Sequence, residues 1–198
     1  TERDGSGGFN DHIDTGIANF VLQAPGVSKI IIPPDDQAFT TGTNVAVGEK
    51  VHYRITYVVP QGIAYDFTSV DTLDNGLSVV QCDSVTNPDG RLTATSGFNC
   101  TNAVMGTNGS TMTISFGTMT NSSLPSDSET IVIEYTAVVL NTNAVFRGAG
   151  LNNSVNINWK FTPTGSVNTV NGVSPNVVVV EPTLTVTKTV LPAGRQDA

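Results

Sequence analysis

The chain has 198 residues, a formal net charge of −8 and a hydrophobic share of 38%, with only 13% charged residues. This acidic balance gives no basic surface for nucleic acid or for an anionic membrane, and no apolar run is long enough to span a bilayer. Threonine, serine, asparagine, valine and glycine dominate, which is typical of an extracellular β protein with polar turns.

Alternation of apolar and polar residues predicts a succession of β-strands. In chain order the clearest are "VSKII", "VHYRITYVV", "YDFTSVDTL", "MTISF", "IVIEYTAVV" and "NNSVNINW". On the third of these Tyr65 shares a predicted core face with Phe67, and on the fifth Tyr135 shares one with Ile133. Turn residues separate them, as in Pro60-Gln61-Gly62 and Asp74-Asn75-Gly76. We find no amphipathic helix. Many short strands with regular turns predict an all-β sandwich, and Trp159 is expected to fill its core.

The two cysteines, Cys82 and Cys100, flank the turn signal "NPDG". A disulfide between them suits an oxidising compartment, and two buried free thiols are the alternative. A metal site is not expected, because two thiols without a nearby histidine do not make a closed tetrahedral set. No cofactor motif is found either, neither a P-loop nor a dinucleotide fingerprint.

The two ends of the chain resemble each other. "ANFVLQAPGVSKIIIPP" near the start parallels "PNVVVVEPTLTVTKTVLPA" near the end. A repeat of this period predicts an array of domains. We expect residues 1–25 to be the tail of a preceding repeat or a linker, 26–181 to be the domain, and 182–198 to start the next repeat or be a linker. The alternative is that both ends are strands of one domain. The chain lacks an initiator methionine and a signal peptide, so it is expected to be a processed fragment.

Three polar residues fall in phase with apolar core residues on separate strands. Lys29 shares a face with Val27, Asp71 with Phe67, and Asn153 with Trp159. Lys188 repeats the lysine pattern in "LTVTKTV", as the expected lysine of the next repeat. Burying one unpaired charge costs several kcal/mol, so the three residues need a common solution.

Two solutions are open. One is a buried ion pair bridged by the amide, which roughly breaks even in free energy. The other is covalent: desolvation favours a neutral amine and a protonated acid, the acid hydrogen-bonds the asparagine carbonyl, and the amine displaces ammonia. An isopeptide bond between lysine and asparagine results.

Five segments carry a family resemblance: "VSKIII", "VGEKVHYRITYVVPQG", "YDFTSVDTLDNGLSVV", "IEYTAVVLNTNAV" and "NSVNINW". From about Val27 to Trp159 the chain resembles the fimbrial isopeptide-formation domains of bacterial pilins and adhesins, and the related conserved repeat domains of large surface proteins. The resemblance implies an immunoglobulin-like β-sandwich in which Lys29 supplies the amine, Asn153 the amide and Asp71 the proton-handling acid. Neighbouring Asn152 is the fallback acceptor if the strand register slips by one.

We therefore expect a structural stalk module of a secreted surface fibre, pilus or adhesin, whose partners are neighbouring repeats. The cross-linking reaction would occur once per molecule, so we do not expect the protein to be an enzyme. The alternative is a ligand-binding adhesin domain that recognises carbohydrate or a host surface through loops such as 97–110. That alternative predicts a concave, aromatic-lined patch. An accessory domain of a secreted enzyme is a third possibility on which the sequence is silent.

Overall fold

The computed structural model describes residues 23–32, 38–123, 129–174, 176–181 and 188, and the architecture below refers to these. Its regular structure is almost entirely β, in keeping with the alternating sequence. The strands are β1 Gly26–Ile31, β2 Asn44–Val45, β3 Lys50–Val59, β4 Gly62–Leu73, β5 Leu77–Thr86, β6 Leu92–Ala94, β7 Ala103–Met105, β8 Thr111–Asn121, β9 Glu129–Val139, β10 Gly150–Leu151, β11 Asn153–Lys160, β12 Asn168–Val173 and β13 Val177–Val179. Two short 3-10 turns, Cys100–Asn102 and Thr107–Gly109, flank β7.

Two large antiparallel sheets face each other. The first has the order β1-β3-β9-β5, and the second has the order β12-β11-β4-β8-β6, with β7 also paired to β8. A small third sheet, β10-β13-β2, contains the parallel pair β13 and β2. The predicted immunoglobulin-like β-sandwich is confirmed.

The core lies between the inner faces of the two large sheets, where period-two alternation places the apolar residues. Tyr57 of the first sheet meets Phe67 of the second edge-to-face, with ring centroids 6.3 Å apart. Trp159 is buried, as predicted. One departure from strict alternation occurs at Asp66, whose φ of 52° accompanies a register shift in β4. Tyr65, predicted to share the core face, is therefore only half-buried.

The first and last strands of the described chain reach opposite poles of this sandwich. Gly26 pairs with Val58, at the end of β3 where Gly62 opens β4. Val179 pairs with Val45, just before β3 begins, at the other pole.

Candidate functional site

Lys29, Asp71 and Asn153 lie on the inner faces of the two large sheets. Lys29 is on β1, opposite Ile55 of β3. Asp71 and Asn153 are on adjacent strands of the facing sheet, where Asn153 pairs with Leu73. The exposed fraction is 4% for Lys29 and 0% for Asp71 and Asn153. Strands distant in sequence thus bring an amine, a carboxyl group and an amide into one apolar interior.

The three side chains are in direct contact through the lysine. Nζ of Lys29 donates hydrogen bonds to Oδ2 of Asp71 and to Oδ1 of Asn153. Asp71 makes no hydrogen bond to Asn153. Within the described part of the chain, Oδ1 of Asp71 has no hydrogen-bond partner. The expected bond from the acid to the asparagine carbonyl is therefore replaced by one from the amine.

A tyrosine that the sequence reading treated only as core completes the cluster. The hydroxyl of Tyr135, on β9, accepts a hydrogen bond from Nδ2 of Asn153 at 2.5 Å and donates one to Oδ2 of Asp71 at 3.2 Å. Its ring stacks on Tyr53 with a centroid separation of 5.3 Å, and Nζ of Lys29 lies 5.3 Å from each centroid. The two aromatic faces stabilise a cation at this position.

Burial opposes both charges of the Lys29–Asp71 pair. Desolvation lowers the pKa of Lys29 to about 8, against the opposing attraction of Asp71. Desolvation likewise raises the pKa of Asp71, against the opposing effects of Lys29 and Tyr135. The pKa of Tyr135 is raised well above its ordinary value by burial and by the nearby Asp71 carboxylate. The cluster thus favours a neutral amine, a protonated acid and a protonated phenol more than water does.

The remaining predicted site residues lie outside this cluster. Asn152 is half-buried, and its backbone N–H donates to Oδ2 of Asp74 at 2.7 Å. Lys188 is exposed and outside any strand, and the apolar residues predicted to share its face lie outside the described residues. Cys82 of β5 and Cys100 form a disulfide, as predicted, which ties the first sheet to the 3-10 turn before β7.

The loop suggested for ligand binding, residues 97–110, does not carry an exposed aromatic side chain. Its one aromatic residue, Phe98, is half-buried against Phe116 with ring centroids 5.9 Å apart. Within the described ranges, the strongly exposed aromatic residues are Phe39 and Phe146, neither of which belongs to this loop.

The described part of the chain shows no group of three or more histidine, cysteine, aspartate or glutamate residues suited to a metal ion. It also contains no helix with the length and hydropathy needed to cross a membrane.

No protein-family profile and no curated protein sequence matches the chain, but solved structures do. A variant of BcpA, the major pilin subunit of Bacillus cereus, aligns with a TM-score of 0.50 at 15% identity, over 80% of this chain and 40% of that subunit. The chain has a pilin-like fold. The full-length major pilin RrgB of Streptococcus pneumoniae aligns with a TM-score of 0.49 at 16% identity, over 78% of this chain and 27% of the pilin.

The chain therefore corresponds to less than half the length of either pilin. At these identities the likeness to BcpA shows the fold alone.

Proposed function

We propose that this chain is a load-bearing module of an extracellular surface fibre of the pilus type, closed internally by an amide bond between Lys29 and Asn153. The observation that carries the proposal is the contact of Nζ of Lys29 with both Asp71 and the Asn153 side chain in a fully buried site. The pilin-like fold supports the fibre role, because BcpA is a major pilin subunit. Neighbouring modules of the same fibre would be its partners.

The proposed reaction is an amide exchange. Asp71 takes a proton from Nζ, and the neutral amine attacks Cγ of Asn153 to form a tetrahedral intermediate. The Cγ–Nδ2 bond then breaks, Nδ2 departs with an added proton as ammonia, and a Lys29–Asn153 amide remains. Of the two protons that Nζ loses, one leaves with the ammonia and the other stays on Asp71. No oxidant or cofactor is required. Because the fold holds amine and carbonyl together, the effective concentration of the nucleophile is very high.

Cross-linking would stabilise the fold in two ways. It replaces a buried ammonium, whose desolvation is costly, by a neutral amide. It also closes a loop of 124 residues, which in the chain-entropy treatment of cross-links is worth about 5 kcal/mol. The bond would join β1 of one sheet to β11 of the other, so it would resist sliding of the two layers.

The positions of the first and last described strands support a mechanical role. β1 begins at Gly26 and β13 ends at Val179 at the opposite pole, an arrangement suited to modules joined head to tail. With Lys29 joined to Asn153, tension would pass from β1 directly to β11, and the intervening chain would carry no load.

Intact mass under denaturing conditions tests the bond. We expect the wild-type protein to weigh one ammonia less than its sequence, in addition to the two hydrogens lost in the disulfide. Asp71→Ala should restore the missing ammonia and lower the thermal unfolding temperature. Asp74→Ala is the matched control, because this exposed carboxylate contacts Asn152 and not the cluster. A wild-type mass that retains the ammonia would refute the cross-link.

A further inference from the structure

The proposed cross-link leaves one proton transfer without an assigned group. The leaving nitrogen, Nδ2 of Asn153, must gain a proton before it departs, because an amide anion is a very poor leaving group. Asp71 receives the proton from Lys29 but makes no hydrogen bond to Asn153 within the described part of the chain. Direct transfer from Nζ to Nδ2 across the tetrahedral carbon would require a strongly bent hydrogen bond, which is weak.

We propose that Tyr135 is a catalytic residue that delivers this proton, relaying from Asp71 to the departing nitrogen of Asn153. The inference rests on the proposed function and adds a fourth residue to it. Its basis is the hydroxyl of Tyr135, which bridges the two groups at 2.5 Å from Nδ2 and 3.2 Å from Oδ2 of Asp71. These contacts form a continuous line from the nucleophile, through the acid, to the leaving group.

A hydroxyl suits this position because it both donates and accepts hydrogen bonds. In the starting amide, Nδ2 can only donate, and Tyr135 accepts from it. After attack, Nδ2 becomes an amine nitrogen with a free lone pair. The bond can then reverse: Tyr135 gives its proton to Nδ2 and regains one from protonated Asp71. Asp71, ionised again, then takes the second proton from Nζ and ends protonated, and ammonia leaves with three hydrogens.

The surroundings of Tyr135 hold its hydroxyl in position for this step. Its side chain is 0% exposed and lies on β9, a central strand of the first sheet. Stacking on Tyr53 fixes the ring plane. Because burial raises the pKa of its phenol, the hydroxyl retains its proton for donation.

The test compares Tyr135→Phe with Tyr57→Phe in the full chain. Both replacements keep the ring and remove one buried hydroxyl, but the hydroxyl of Tyr57 bonds Ser69 at 2.5 Å and not the cluster. Each protein is made by cell-free synthesis, sampled after translation is stopped, and weighed under denaturing conditions. We expect Tyr135→Phe to lose ammonia about 100-fold more slowly than wild type, the range found for positioned acid–base groups, and Tyr57→Phe to match wild type.

Equal rates for Tyr135→Phe and wild type would overturn the relay while leaving the cross-link intact. A wild-type protein that never loses ammonia would instead refute the cross-link itself, so the two failures are distinguishable. Near-ultraviolet circular dichroism establishes whether Tyr135→Phe folds.

If Tyr135→Phe does not fold, a fluorinated tyrosine inserted at position 135 decides the matter. It keeps the hydroxyl and the ring and makes the phenol more acidic. A relay predicts a several-fold change in the rate of ammonia loss, and no change from the same insertion at position 57. An unchanged rate at position 135 would overturn the proposal.

Discussion

The proposed bond makes a quantitative prediction for extension under force. Replacing Asn153 by leucine, which has nearly the same shape and no amide, prevents cross-linking while the disulfide remains. In the wild-type module the proposed bond would take 124 residues out of the load path. In Asn153→Leu only the 18 residues closed by the disulfide are removed from it. The variant should therefore release 106 more residues on unfolding, the difference between 124 and 18.

At 3.3–3.6 Å per extended residue, the additional contour length is about 370 Å. The assay is single-molecule force spectroscopy of the module held between marker domains, comparing wild type with Asn153→Leu. Reduction of the disulfide is an internal control. It should lengthen the extended variant by about 60 Å and leave the wild type unchanged, because Cys82 and Cys100 both lie between Lys29 and Asn153.

Equal extension of wild type and Asn153→Leu would refute the load path. So would a gain in wild-type extension when the disulfide is reduced, since a disulfide shielded by the cross-link carries no tension.

Three further predictions follow from named contacts. The rate of cross-linking, followed as ammonia loss across a pH series, should be bell-shaped in pH. The reactive form, neutral Lys29 with protonated Asp71, carries the same number of protons as the ion pair. The rate should therefore fall above about pH 8, the lowered pKa of Lys29, and below the raised pKa of Asp71. Gly109→Ala should lower the free energy of unfolding by about 2 kcal/mol, because φ is +65° and an added Cβ would lie 2.6 Å from the carbonyl oxygen of Val79. In guanidinium unfolding, Gly42→Ala should lose less stability, because its φ is similar at +68° but no atom lies within 4 Å of the added Cβ. Glu49→Gln should lower the free energy of unfolding by about 2 kcal/mol in the same assay. The buried Glu49 carboxylate accepts backbone N–H bonds through both oxygens, whereas an amide supplies only one acceptor oxygen. An unchanged unfolding midpoint would contradict this prediction.

The sequence predicted the sandwich and the burial of its polar residues because both depend on alternation. Lys29, Asp71 and Asn153 each stand in phase with apolar neighbours on a regular strand, so their direction follows from the chain alone.

Tyr135 was missed as a functional residue for the opposite reason. A tyrosine that alternates with core residues is easily taken for a purely apolar side chain. Its buried hydroxyl nevertheless needs a hydrogen-bond partner, and this requirement could have indicated a polar neighbour.

Tyr65 was predicted wrongly because the left-handed backbone at Asp66 shifts the alternation of β4. The small third sheet was also beyond sequence reasoning, since β2 and β10 are two residues long and pair only through tertiary contacts.

The disulfide and the exposed loop at residues 97–110 both fall within the span from Lys29 to Asn153. If the proposed amide forms, a protease that cuts the backbone once anywhere in that span would leave two pieces still joined through it. An assembly of such modules would keep its tensile continuity after a nick that severs an ordinary chain. Cleavage of the backbone within this span would then not by itself break the fibre.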